Sequence, residues 1–152
     1  MLASAREWMQ VLREKEHPDV VIGVFHSGRD GGIVTDKYAE NATERVAREI
    51  PGFDAIIFGH DHQLCCDSVA CEDGRQIPIV NPGGHANYVS QLTVKMEKTH
   101  GKWVVEHVDA ENVSMEGLEP DADFLTTFEP QKEEVKAYVG KRIGTFVNPI
   151  ST

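Results

Sequence analysis

The sequence predicts an α/β fold that begins as a parallel β-α-β unit and continues as antiparallel strands. Three observations predict it. Helical and strand-like patterns alternate up to residue 62. The apolar runs at 20–25 and 54–58 show no polar alternation, as strands covered on both faces do not. Beyond residue 62 apolar and polar residues alternate between turn signals, the pattern of half-buried antiparallel strands.

Residues 3–16 read as a helix, because Trp8, Val11 and Leu12 recur at helical spacing among charged residues. His17-Pro18 ends it, since the residue before proline avoids the helical region. Residues 19–25 form the first expected strand, rich in Val20, Val21, Ile22 and Val24. A polar glycine-rich loop, His26-Ser27-Gly28-Arg29-Asp30-Gly31-Gly32, follows it. Residues 39–50 read as a second helix with Ala42, Val46, Ala47 and Ile50 on one face, stopped by Pro51-Gly52. The strand at 54–58 runs straight into Gly59-His60-Asp61-His62. Strands at 68–71 and 76–80 flank Glu72-Asp73-Gly74-Arg75, a hairpin signal. Asn81-Pro82-Gly83-Gly84 reads as a turn. Strands at 88–98 and 102–108 are joined through His100-Gly101, with Leu92, Val94 and Met96 on one face. Residues 117–123 read as an acidic loop and 124–139 as a helix interrupted near Pro130. Residues 139–146 resemble the start of a strand.

The 152 residues suffice for one ordinary domain, and 40% hydrophobic with 26% charged residues fits a globular chain. A net charge of −10 argues against binding a nucleic-acid polymer through a basic patch. No apolar run approaches the ~20 residues of a membrane span. The N-terminus lacks a basic segment followed by an apolar core and does not read as a signal peptide. Cys65, Cys66 and Cys71 are odd in number and closely grouped, so they make no disulfide framework.

The chemistry concentrates where the two buried strands end. Ligands of open α/β sheets bind at the carboxyl ends of strands. His26 follows the first strand; His60 and His62 follow the second. If the strands are parallel neighbours, the three imidazoles converge on one edge as candidate metal ligands. An extended backbone over His60-Asp61-His62 points both rings the same way, and Gly59 permits a sharp turn before them. His85, after Gly83-Gly84, reads as a loop residue; His17, His100 and His107 carry no assigned chemistry.

These residues carry a resemblance. Val21-Ile22-Gly23-Val24-Phe25-His26-Ser27-Gly28 and Asp54-Ala55-Ile56-Ile57-Phe58-Gly59-His60-Asp61-His62 resemble two motifs of the calcineurin-like metallophosphoesterases, with one helix and one strand between them. The pre-strand helix with Trp8, the stretch Ile77-Pro78-Ile79-Val80-Asn81-Pro82-Gly83-Gly84, and the tail from Asp121 through Ile143-Gly144 are similar to 5′-nucleotidases and 2′,3′-cyclic-nucleotide 2′-phosphodiesterases. Phe25 stands where the family usually has a small residue, which implies a bulkier wall.

The resemblance implies part of a four-layer α/β/β/α sandwich. Residues 1–113 would be the C-terminal portion of the metal domain, and 114–152 a linker helix leading toward a nucleotide-binding domain. It also implies two divalent ions (Zn, Mn, Fe or Co), one held by His26 and His60 and the other by His62, that clamp a nucleotide or other phosphate ester. The family's Asp-x-His, Gly-Asp and Asn-His ligand motifs do not occur in the chain. A fragment that is inactive alone is therefore expected, with self-association through an exposed sheet edge. By analogy its parent is periplasmic or at the cell surface.

Two other readings compete. His60, His62, Cys65, Cys66 and Cys71 suit a structural zinc module in residue type, although adjacent cysteines fit one tetrahedral site poorly. A non-catalytic interaction domain on the same fold would carry the same histidines.

Overall fold

The structure is a computed structural model that describes residues 1–145 and 147. The chain divides into two compact units, Met1–Glu116 and Gly117–Thr152. The first unit runs α1 (Leu2–Val11), β1 (Ile22–Phe25), α2 (Thr43–Glu49), β2 (Ala55–Phe58), β3 (Leu64–Ala70), β4 (Gln76–Pro82), β5 (Tyr88–Thr99) and β6 (Lys102–Ser114). The second holds α3 (Ala122–Val139).

The four-stranded sheet has the order β1-β2-β4-β3. β1, β2 and β4 run parallel, and only β3 is antiparallel. The expected change to antiparallel pairing at residue 62 is thus only half met. The 64–82 hairpin returns β4 to the parallel sheet as a central strand. The reason is burial: Ile77, Ile79 and Val80 are at most 2% exposed and need cover on both faces. Asn81 and Pro82, read as a turn, continue that strand.

One face of the sheet carries the core. Val46, Ala47 and Ile50 of the α2 region and Met9 of α1 pack on Ile56, Phe58, Val69, Ile77 and Ile79. In α1 the buried residue is Met9, whereas Trp8 is 64% exposed. The stripe that meets the core is Leu2, Ala5 and Met9, at helical spacing and displaced from the stripe expected through Trp8. A π-helical turn, Leu12–Glu16, extends α1, and His17 closes it in the left-handed region at φ 48°.

The opposite face is covered unevenly. The β5-β6 ribbon meets it over β3 and β4: Cys66 Sγ donates to Ala110 O, and Asn112 Nδ2 donates to Cys65 O and Asn81 O. Leu92, Val94 and Met96 share the ribbon's half-buried face as expected, and a β-bulge interrupts the register between Lys95 and Met96. β1 lies at the other edge, and Val24 is 73% exposed. The expected full burial of this strand fails because it is an edge strand with no ribbon above it.

In the second unit α3 runs through Pro130 without the expected interruption. Asp121 caps its start by accepting from Phe124 N, a Glu129–Lys132 pair spans the proline and a Glu133–Lys136 pair follows it. No strand starts over residues 141–145; Phe146, the end of that expected element, lies outside the described residues.

The uneven cover makes a stability contrast. Ile79→Ala, in the doubly covered strand, is expected to cost roughly 2–5 kcal/mol in urea unfolding. Val24→Ala, on the open face, is expected to stay within about 0.5 kcal/mol.

Candidate metal-binding site

β1 and β2 end level with each other, since Phe25 pairs with Phe58 and Gly59 N donates to Phe25 O. His26 and His60 therefore leave the sheet side by side. His26 Nε2 and His60 Nδ1 stand 3.3 Å apart, with ring centroids at 5.1 Å. On the far side of its ring, His60 Nε2 meets Glu40 Oε1 at 2.9 Å. Glu40 comes from the 26–42 loop, where Val34 and Ala39 form a β-bridge. Its other oxygen, Oε2, accepts from Ile33 N at 2.8 Å. The Ile33 amide first, and the His60 ring second, hold the Glu40 carboxyl below the usual carboxylate range.

His62 takes a different direction. Its ring lies 6.0 Å from that of His85, centroid to centroid. Gly84 backs it so closely that an added Cβ would sit 3.2 Å from the ring. The expected extended backbone does not form: His60 has φ 90° and His62 φ 56°. A positive φ turns each side chain away from the alternation of a strand, so the two rings diverge. The turn falls on the histidines themselves, while Gly59 keeps a negative φ. His85 and Ala86 share the left-handed conformation at φ 62° and 56°. Such residues cost on the order of 1–3 kcal/mol each and persist where surrounding bonds over-determine them.

Those bonds form one polar network beneath the histidines. Asp61, between His60 and His62, accepts from Arg29 N at 2.9 Å, Gln63 N at 3.2 Å and Asn81 Nδ2 at 2.7 Å. Asn81 is fully buried, and its Oδ1 accepts from Gly83 N. Ser27 Oγ donates to Glu40 O and accepts from Ala42 N, while Thr43 Oγ1 donates to Ser27 O. Gly28 N donates to Asn41 Oδ1. A Cβ on Gly28 would lie 2.6 Å from both Asn41 Oδ1 and Asp61 Oδ2, so glycine is what lets the loops approach. Arg29 bridges to Glu44 and Asp67, which ties the His26 loop to α2 and β3.

The sequence pointed to the histidines and missed Glu40, Asn41, Asp61 and Asn81. Asp61 and Asn81 carried a readable signal, being polar residues at the ends of buried strands. Glu40 and Asn41 carried none, because the loop that brings them back has no periodicity.

The donors fit a divalent ion in part. Two imidazole nitrogens on one tetrahedral ion, each at about 2.0–2.1 Å, stand about 3.3 Å apart. That is the separation of His26 Nε2 from His60 Nδ1. Among the described residues no group of three His, Cys, Asp or Glu closes on one point. The zinc-module alternative is not favoured. Cys65 and Cys66 alternate along β3, one against the core and Arg29, the other on Ala110 O, and Cys71 is buried. Burial pushes the Cys65 thiol up, away from thiolate character. Phe25 meets Phe53 edge-on at 5.8 Å and packs against the core, so its bulk serves the core.

No protein-family model matches the chain. The chain is 28% identical over 155 residues to the trifunctional nucleotide phosphoesterase protein YfkN of Bacillus subtilis, covering 95% of this chain and 10% of that protein. It is 31% identical over 120 residues to a 2′,3′-cyclic-nucleotide 2′-phosphodiesterase/3′-nucleotidase of Salmonella typhimurium, covering 71% of this chain and 18% of that protein. The crystal structure of the calcineurin-like phosphoesterase YfkN from Bacillus subtilis superposes with a TM-score of 0.75 at 27% identity, over 93% of this chain and 45% of that one. In sequence and in fold the chain is similar to calcineurin-like phosphoesterases. Its mixed sheet, parallel with an antiparallel strand, is the fold of that family. The chain spans between a tenth and a fifth of the length of these curated relatives.

Two measurements check the network. Gly28→Ala is expected to lower the thermal midpoint clearly, whereas Gly59→Ala, with nothing within 4 Å of the added Cβ, leaves it nearly unchanged. Arg29 holds the Glu44 carboxyl below its usual range. The unfolded chain therefore takes up that proton first. The pair's stabilisation is full above about pH 4.5 and is lost as pH falls through the folded value. Urea unfolding against pH should show a shallower acid loss in Glu44→Gln.

Proposed function

We propose that this chain supplies part of the two-metal site of a phosphoesterase that hydrolyses nucleotides. The observation that carries the reading is the 3.3 Å pair of imidazole nitrogens at the level ends of two parallel strands. His26 through Nε2 and His60 through Nδ1 hold one divalent ion, and His62 belongs to the second. A bound pair of such ions supplies Lewis acidity toward a phosphoryl group. The chain's own residues orient the ligands: Asp61 and Asn81 fix the loop between the two histidines, and Glu40 meets the outer nitrogen of His60.

The remaining ligands come from residues outside this sequence. Three imidazoles cannot bridge two ions, and the chain spans 45% of the superposed relative. The 152 residues alone are then inactive. The open edge at β1 supports association with a second polypeptide segment or another copy. The nucleotide substrate follows the names of the relatives, as 5′-nucleotidase-like or cyclic-phosphodiesterase chemistry, and an exported parent follows from the same resemblance. Among the described residues no helix is long and apolar enough to cross a membrane.

Titration with Zn²⁺ or Mn²⁺ should detect one ion per chain, lost in both His26→Ala and His60→Ala. Turnover of 2′,3′-cyclic AMP or 5′-AMP by the chain alone should stay at background. Binding that survives both substitutions would overturn the site, and turnover by the chain alone would overturn its incompleteness.

A further inference from the structure

Glu40 is half-buried and is held in the fold through both its backbone and its side chain. Its backbone N–H donates to Ile33 O at 3.0 Å, and its carbonyl accepts from buried Ser27 Oγ at 2.8 Å. Both carboxylate oxygens are engaged, Oε2 by Ile33 N and Oε1 by His60 Nε2. An ionised carboxylate only accepts hydrogen bonds, so the 2.9 Å contact requires the proton of neutral His60 to sit on Nε2. Nδ1 is then left with its lone pair, on the side where His26 Nε2 stands 3.3 Å away. The two nitrogens of one imidazole point apart. An ion beside Nδ1 is therefore out of reach of the Glu40 oxygen bonded at Nε2, and Glu40 is not itself a ligand of that ion.

From this geometry we infer that Glu40 is a positioning residue: it fixes the tautomer and tilt of His60 and so presents Nδ1 for metal binding. The inference rests on the reading of His60 as a ligand. A carboxylate behind a ligating histidine raises the ring's basicity and orients it, and losing such a partner costs 10–100-fold in metal affinity. The same carboxylate pins the 33–40 hairpin through Ile33 N, so ring and hairpin share one anchor.

The test uses the metal-free 152-residue chain at pH 8, with ¹⁵N-labelled histidine. Two-bond ¹H–¹⁵N spectra should show His60 protonated on Nε2 alone. Glu40→Ala should yield a mixture of tautomers at His60 and bind Zn²⁺ 10–100-fold more weakly by calorimetry. Glu40→Gln, which retains one acceptor oxygen, should lose less of both. Amide spectra that match the wild type away from residues 26–42 and 60–62 show that the Glu40→Ala chain is folded. A wild-type His60 protonated on Nδ1, or a Glu40→Ala chain with unchanged tautomer and affinity, overturns the inference. If the wild-type chain binds no ion, the functional reading of the site fails by itself. The Nε2 proton, with its loss in Glu40→Ala, would still uphold Glu40 as the residue that sets the ring.

Discussion

The carboxylate of Asp61 is the constraint on which the site depends. It collects hydrogen bonds from Arg29, Gln63 and Asn81, which belong to the loops after β1 and β2 and to the end of β4. Three parallel strands thus have their carboxyl ends tied at one point. Hydrogen bonds to a charged acceptor are worth about 1.5–3 kcal/mol each. That is comparable to the strain of the left-handed His60 and His62 on either side. The network offsets a backbone that neither histidine would adopt alone, and the divergence of the two rings follows from it. In a two-metal reading that divergence has a use, because rings two residues apart then serve different ions.

How much of this could be read in the sequence depends on the range of the forces involved. β1, β2 and α2 were legible because continuous apolar runs and a helical stripe are local signals of burial. The histidines were legible because strand ends in such sheets are where ligands sit. The placement of β4 was not legible. Alternation in a short strand looks the same whether its neighbour is the next strand or one far earlier in the chain. Trp8 misled for a related reason: a large apolar residue at helical spacing marks a stripe, but the sheet selects Leu2, Ala5 and Met9 by position. The pairing of His26 with His60 could be anticipated from parallel neighbours; the turn of His62 toward His85 could not, since positive φ at a histidine leaves no mark in composition. Glu40 and Asn41 return to the site through an irregular loop, and only the folded geometry reveals them.

Charge explains part of the remaining pattern. With a net charge of −10, the chain holds its arginines close to its acids. Arg29, Arg48 and Arg75 all sit in pairs with carboxylates, and Arg29 serves Glu44 and Asp67 at once. Around His60 the near groups are the His26 imidazole and the Glu40 carboxylate, and Arg29 in the neighbouring loop is already committed to Glu44 and Asp67.

The ribbon of β5 and β6 acquires a mechanical meaning from the same bonds. Asn112 sits on that ribbon and donates to Asn81 O; Asn81 donates to Asp61; Asp61 lies between the two histidines. Ser90 locks Asn112 from the neighbouring strand at 2.6 Å. The ribbon is therefore a strut with one foot under the site. A load that tilts it on the sheet is delivered to the loop carrying His60 and His62 through two side-chain amides, with no flexible linker in the path to absorb it.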